Sequence, residues 1–244
     1  MKSYYEKEVI LSPGWCDASS RLSLRSIFLL FQDSASEHAE TLGIGGSVMA
    51  EKGLFWLTVR TKIKVYSRPA MMRRVQLKTW LGAFEPGDLR TFRYYTLHCD
   101  GEPVAEGKTE WTVFRLADQT VVRMREAGMP DVDILPDIVC PEPFSRLRPA
   151  FDEADPAAAH IVRPSDVDMG QHMNNTAYVR AILDTFPVAE QKQMDVREIE
   201  IAFRQPCFEG EGLTIRRKAA GDGWQCAVLR PDGKPAALAQ IRLG

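Results

Sequence analysis

Residues 165–179 read SDVDMGQHMNNTAYV. Asp168 and His172 stand four residues apart, Gly170 and Gln171 lie between them, and Asn174 and Asn175 follow. A carboxylate and an imidazole held together can take up and return a proton, which is what activation of a water molecule needs. The apolar residues after the Asn pair suggest a helix. A helix start offers unpaired backbone N–H groups and a positive dipole end, so N–H groups near Gly170 and Gln171 are expected to hold a developing oxyanion. Asn174 and Asn175 are expected to cap the helix and fix the loop. Each residue also has a plain structural use, since Asp and Asn are common before helices. Cys207 is a further candidate. With no base beside it in sequence, it reads more readily as a small buried hydrophobe than as a nucleophile.

Composition removes several other chemistries. Four His and five scattered Cys (Cys16, Cys99, Cys140, Cys207, Cys226) without a CxxC pair suggest neither a metal site nor a disulfide frame, and no cofactor is called for. A net charge of −2 gives no support to nucleic-acid binding. The longest strongly apolar run, Ile27–Phe31, is far short of a membrane span. The start, MKSYYEKEVILS, lacks a signal-peptide core, so a cytoplasmic protein with no membrane association is expected. At 244 residues, 45% hydrophobic and 26% charged, the chain has enough apolar material for one large or two modest domains.

The elements that would position the loop occur twice. Residues 55–65 alternate, with Phe55, Leu57, Val59, Ile63 and Val65 on one face and Thr58, Arg60, Lys62 and Lys64 on the other, which predicts a half-buried strand. Val75, Leu77, Thr79 and Leu81 repeat the pattern, and strands near 91–99 and 103–115 flank a hairpin signal at Asp100-Gly101. Before them, Ile27, Leu30, Phe31, Ala35, His38 and Leu42 share one helix face, and Gly43 stops the helix. The second half predicts a helix carrying Tyr178, Ile182 and Phe186, ended by Pro187, and then strands near 196–204, 213–219, 224–230 and 235–243. Short matches recur in order: Asp17 with Asp168, Arg68-Pro69-Ala70 with Gln205-Pro206-Cys207, and DGEPVAEGKTEW (100–111) with DGKPAALAQIRL (232–243). Six of the fifteen prolines fall in 130–156, which reads as an extended linker. The expected architecture is α+β, a tandem (double) hotdog in which two long helices are each wrapped by a curved antiparallel β-sheet. Its parts are an N-terminal unit over 1–128, a Pro-rich linker over 129–156 and a C-terminal unit over 157–244. The first-half counterpart of the loop, DASSRLSLR (17–25), keeps Asp17 but has no His and no Asn pair, so only the second half is chemically equipped.

DVDMGQHMNNTAY followed by ILDTFP resembles the signature of the acyl–acyl carrier protein (acyl-ACP) thioesterases, and FQDSASEHAETLGIG (31–45), FWLTVRTKIKVYSRP (55–69), KTWLG (78–82) and AEGKTEWTVF (105–114) are similar to the same family. The resemblance implies hydrolysis of fatty acyl thioesters on the carrier's phosphopantetheine arm, releasing free fatty acid and carrier protein and terminating fatty acid synthesis. It also implies an acyl-binding first half and a catalytic second half. Asp168 and His172 match the family's catalytic Asp and His. Gly170 stands where the family has Asn, and Pro206 stands where it has Glu just before Cys207. These departures keep two alternatives open: an acyl-CoA thioesterase, or an acyl-binding or regulatory protein without catalysis. Pairing of two copies into a homodimer is also left open, as are basic docking residues for an acidic carrier (Arg68, Arg73, Arg74, Arg216, Arg217, Lys218).

Overall fold

The computed structural model describes residues 3–148, 151, 152, 155 and 157–244. The chain divides into two compact units, one ending at Glu142 and the other beginning at Pro143. Residues 1 and 2 of the expected N-terminal unit, and 149, 150, 153, 154 and 156 of the expected linker, lie outside the described residues.

In the first unit, strand β1 (Tyr4–Ile10) leads to helix α1 (Leu24–Thr41), short helix α2 (Gly46–Glu51), and strands β2 (Leu54–Val65), β3 (Arg74–Leu81), β4 (Thr91–Cys99) and β5 (Glu102–Arg115). The antiparallel order is β1-β3-β4-β5-β2. A three-residue strand β6 (Thr120–Val122) pairs with β5, and helix α3 (Met124–Ala127) closes the unit. The β4–β5 hairpin forms at Asp100 (φ 53°) and Gly101 (φ 83°), the two positive φ values that a tight twisted hairpin needs. The Ser23 side chain accepts from the Ser26 N–H and starts α1. The predicted apolar stripe is buried against the sheet: Ile27, Leu30, Phe31, Ala35 and His38 are all 4% exposed or less. Phe31 stacks on Tyr95 with ring centroids 4.6 Å apart.

The alternation expected along 55–65 breaks in the middle. Thr58 pairs with Trp111 and Arg60 with Glu110, so Val59 is an extra residue and the faces exchange there. Leu54 and Trp56 therefore share a face with Ile63 and Val65, while Phe55 and Leu57 take the opposite one.

In the second unit, strand β7 (Ala157–Ile161) precedes helix α4 (Asn175–Leu183), short helix α5 (Val188–Gln193), and strands β8 (Val196–Phe203), β9 (Gly212–Ala220), β10 (Gly223–Leu229) and β11 (Pro235–Leu243). Their antiparallel order is β8-β11-β10-β9-β7. Here α4 has nine residues against eighteen in α1, so the expectation of two long helices holds only for the first. The chain leaves α4 at Leu183 because its last carbonyls are taken locally: Thr185 Oγ1 donates to the Ile182 carbonyl at 2.7 Å, and Gln191 Nε2 to that of Leu183 at 3.0 Å. Phe186 then packs edge-on against Trp224, and Pro187 caps α5.

Described residues 129–148, the end of the first unit and the start of the second, form no helix or strand. They are nevertheless tied down. Trp80 Nε1 donates to the Asp137 carbonyl at 2.9 Å, Lys108 Nζ to that of Glu142 at 2.6 Å, and the Ser145 N–H to Glu200 Oε1 at 2.7 Å.

Candidate active site

The loop before α4 is a closed lariat. Val167 bridges Met173, the Asp168 N–H donates to the His172 carbonyl at 3.1 Å, and the Gln171 N–H donates back to the Asp168 carbonyl at 2.9 Å. Gln171 sits at φ 59°, a conformation a side chain adopts at some cost and only where the surrounding bonds impose it. Asn174 is the cap: its Oδ1 accepts from the Thr176 N–H at 2.8 Å, while its Nδ2 donates to Asp168 Oδ2 at 3.0 Å. Asn175 is the first residue of α4. The cap residue thus holds the carboxylate as well as the helix.

Asp168 and His172 are brought together and both remain reachable, with side chains 27% and 24% exposed and His172 Nδ1 4.0 Å from Asp168 Oδ1. Oδ1 also accepts from the Gly170 N–H at 2.8 Å. The N–H groups of Gly170 and Gln171 are therefore already engaged inside the loop. Cys207 is fully buried, and its carbonyl accepts from the Met173 N–H at 2.8 Å, tying the turn after β8 to the residue that follows His172. Its N–H donates to the Tyr178 hydroxyl at 3.0 Å. Burial pushes the Cys207 thiol above its ordinary value, and the neighbouring Glu211 carboxylate adds to that.

Three groups here went unnoticed in the sequence. Asp166 has a fully buried side chain that bonds the Arg180 guanidinium, His160 Nε2 at 3.1 Å and the Arg163 N–H at 2.9 Å. Burial alone raises its carboxyl, but the Arg163 N–H, Arg180 and His160 outweigh it and hold it below the usual carboxylate range. Glu211 and Arg230 form an ion pair at 2.8 Å beside Cys207, and Arg230 also reaches Gln205 Oε1 at 3.3 Å. The available signal for Asp166 was the internal repeat, in which Asp166 takes the place of Trp15: the capping residues Ser23 and Asn174 donate their N–H groups to the carbonyls of Trp15 and Asp166.

The same bonds correct the match drawn at the end of the second strand. The Leu22 N–H donates to the Pro69 carbonyl as the Met173 N–H does to that of Cys207. Cys207 is thus the counterpart of Pro69, and Pro206 that of Arg68, one residue away from the alignment of prolines. Of the basic residues considered for docking, Arg68, Arg73, Arg74 and Arg217 pair with Asp17, Asp100, Glu8 and Glu190. Arg216 donates to backbone carbonyls of Asp152 and Asp155, and Lys218 lies over the Phe151 ring. Among the described residues, no group of three or more His, Cys, Asp or Glu is placed to hold a metal ion, and no helix is long and apolar enough to cross a membrane.

Antiparallel strands with a helix of their own in each unit, and an Asp-His loop at the start of the second helix, define a hotdog architecture of thioesterase type. The model for the acyl-ACP thioesterase N-terminal domain matches residues 2–129, and that for the C-terminal domain matches residues 152–235. The chain belongs to the acyl-ACP thioesterase family. It is 24% identical over 226 residues to oleoyl-acyl carrier protein thioesterase 2, chloroplastic, of Arabidopsis thaliana, covering 86% of this chain and 61% of that one. It is 23% identical over 238 residues to the palmitoyl-acyl carrier protein thioesterase, chloroplastic, of the same plant, covering 93% and 57%. The chain thus spans about three fifths of the length of these curated relatives. Among solved structures, an acyl-ACP thioesterase from Bacteroides thetaiotaomicron superposes with a TM-score of 0.88 at 20% identity, covering 99% of this chain and 98% of that one. The 12:0-ACP thioesterase from Umbellularia californica gives 0.87 at 16% identity, covering 100% and 98%. The fold is the tandem hotdog of these proteins.

Proposed function

We propose that the protein hydrolyses fatty acyl-ACP thioesters, releasing free fatty acid and carrier protein and so terminating fatty acid synthesis in the cytoplasm. Family membership supports the reaction class. The observation that carries the site assignment is the setting of Asp168, a partly exposed carboxylate that accepts from the Gly170 N–H and the Asn174 amide and lies beside an imidazole. Asp168 takes a proton from water as the water attacks the thioester carbon. His172 orients that water, and Asp168 returns the proton to the departing thiolate as the C–S bond breaks. Because the Gly170 and Gln171 N–H groups are spent on the loop, polarisation of the thioester oxygen falls to the positive end of α4. Asn174 positions Asp168. Cys207, buried and kept as a thiol, supports the loop from below rather than attacking the substrate. In this division of labour the first unit (1–128) binds the acyl chain, residues 129–156 connect, and the second unit (157–244) carries the chemistry.

The test is steady-state hydrolysis of acyl-ACP and matched acyl-CoA thioesters from C8 to C18. Turnover favouring the carrier form, and strongly reduced by Asp168→Ala and by His172→Ala, supports the reading. Equal or better turnover of the CoA forms moves the substrate to acyl-CoA. A folded wild type that turns over neither form, yet binds acyl chains, leaves the non-catalytic alternative that Gly170 and Pro206 kept open.

A further inference from the structure

The interior of the first unit is not apolar throughout. Across the face of the sheet under α1 runs a belt of polar side chains in register: Thr61 on β2 opposite Thr109 on β5, and Thr109 opposite Arg93 on β4. Thr61 and Thr109 share a hydrogen bond of 3.2 Å. His38 of α1 comes down onto Arg93, with Nδ1 2.9 Å from Nη1, and Thr79 Oγ1 lies 3.4 Å from the same nitrogen. Thr61, Thr79, Arg93, Thr109 and His38 are each 7% exposed or less. Among the described residues no carboxylate pairs with Arg93. Burial lowers its pKa to about 10, so it is still a cation at neutral pH. A buried guanidinium without a counter-ion is costly, and it presents five N–H donors.

The belt divides two regions. On one side α1 lies directly on the sheet. At Gly107 a Cβ would stand 2.8 Å from Phe31, and that ring stacks on Tyr95. Nothing the width of an alkyl chain passes between helix and sheet there. On the other side lies an apolar cluster of Leu42, Met49, Leu54, Leu81 and Val113, with Trp56 and Phe84 half-buried at its margin. That cluster borders the belt, since Leu81 stands directly opposite Arg93 in the register.

We propose that Arg93, held by His38 and Thr79, is the floor of the acyl-chain site and sets the longest chain the protein accepts. A tail that reaches the belt presses methyl groups onto a guanidinium and leaves its N–H donors without partners, whereas a shorter tail ends among Leu42, Met49 and Leu81. The inference rests on the thioesterase reading above and adds its specificity determinant. Two extra methylenes are worth about tenfold in binding. Arg93→Met, which replaces the cation with a flexible apolar chain, is therefore expected to move the optimum of kcat/KM across C8–C18 acyl-ACP upward by two or more carbons. The first chain the wild type rejects should gain about tenfold. An unchanged profile in a folded, active Arg93→Met protein overturns the floor. A second measurement needs no variant: wild-type protein loaded with acyl-ACP carrying a terminal photoreactive diazirine should be labelled within 38–42 or 81–93. Labelling confined to other segments overturns the proposal. A wild type that hydrolyses no thioester fails the reading of the reaction rather than that of the floor, which labelling by a diazirine fatty acid then decides alone.

Discussion

The loops at residues 15–23 and 166–174 have the same backbone and different side-chain partners for their carboxylates. In each, an Asp N–H donates to the carbonyl four residues on: Asp17 to Arg21 at 2.8 Å, Asp168 to His172 at 3.1 Å. In each, the residue after next donates its N–H to the Asp carboxylate, Ser19 and Gly170 both at 2.8 Å. Ser20 and Gln171 share a positive φ, and Ser23 and Asn174 cap the helix that follows. The difference is what meets the second carboxylate oxygen. Asp17 Oδ2 is held by the Arg68 guanidinium, whereas Asp168 Oδ2 meets the Asn174 amide and, among the described residues, no Arg or Lys, because the counterpart of Arg68 is Pro206. The backbone therefore makes the loop, and one side chain from the following turn decides whether its Asp is paired with a cation. Pro206, which looked like a defect in the sequence, is in this geometry the absence of a neutralising charge.

The widest separation between the loops should come from their Asp residues. Asp168→Asn is expected to lower kcat by on the order of a thousandfold with little change in melting temperature. Asp17→Asn should leave kcat within about threefold and cost on the order of 1 kcal/mol, the scale of a partly exposed ion pair. Comparable loss of activity in both variants would erase the asymmetry. The next step down is His172→Ala, expected to reduce kcat about a hundredfold, against Arg21→Ala, expected to do nothing to turnover. Pro206→Arg sharpens the comparison from the other side. It supplies the cation the second loop lacks, and about a tenfold fall in kcat/KM with folding intact is expected. Unchanged kinetics would mean that the missing cation is incidental.

Asp166 separates the loops by stability. Its side chain is fully buried on Arg180, and loss of one partner of such a pair typically costs about 3 kcal/mol. Asp166→Asn should show that loss in denaturant unfolding, while substitution of its counterpart Trp15 should not follow the same pH course. The carboxyl is held below its ordinary value in the folded state, so its contribution is present above the unfolded carboxylate pKa near 4 and disappears as pH falls through the depressed folded value. The wild-type-minus-variant difference should therefore be flat from neutral pH to about 5 and shrink below that.

Much of this was legible before any coordinates. The strands and α1 follow from period-2 and period-3.6 patterning of residues that are indeed buried, and Asp168, Gly170, Gln171, His172 and Asn174 fall in one lariat. Three kinds of feature were not legible. The bulge at Val59 has no composition of its own, because any residue can be the unpaired one, yet it exchanges the faces of β2. The short α4 is set by carbonyls captured by Thr185 and Gln191, which periodicity does not register. The third kind is the set of partners brought from afar: Arg180 to Asp166, Arg230 to Glu211, and Arg68 to Asp17. Spacing along a chain reports which side chains share a face, not which charge arrives from another strand.

The smallest and most discriminating comparison is between the two caps. Ser23 and Asn174 do the same work for their helices, each accepting from an N–H of the first turn. Replacement by Ala should cost about 1 kcal/mol in either place. Asn174 alone also bonds the carboxylate, through an amide whose other end is the cap. Ser23→Ala should therefore lower stability and leave kcat untouched, while Asn174→Ala should lower both. Asn174→Ser should then separate the two roles, restoring the cap and most of the stability without the donor to Asp168 Oδ2. If kcat recovers along with stability in Asn174→Ser, the amide bond to Asp168 is dispensable, and the loops are set apart by His172 and by the missing counterpart of Arg68. If stability recovers and kcat does not, the amide joins His172 and the removal of a cation as a third change in the second half, on a backbone that both halves still share.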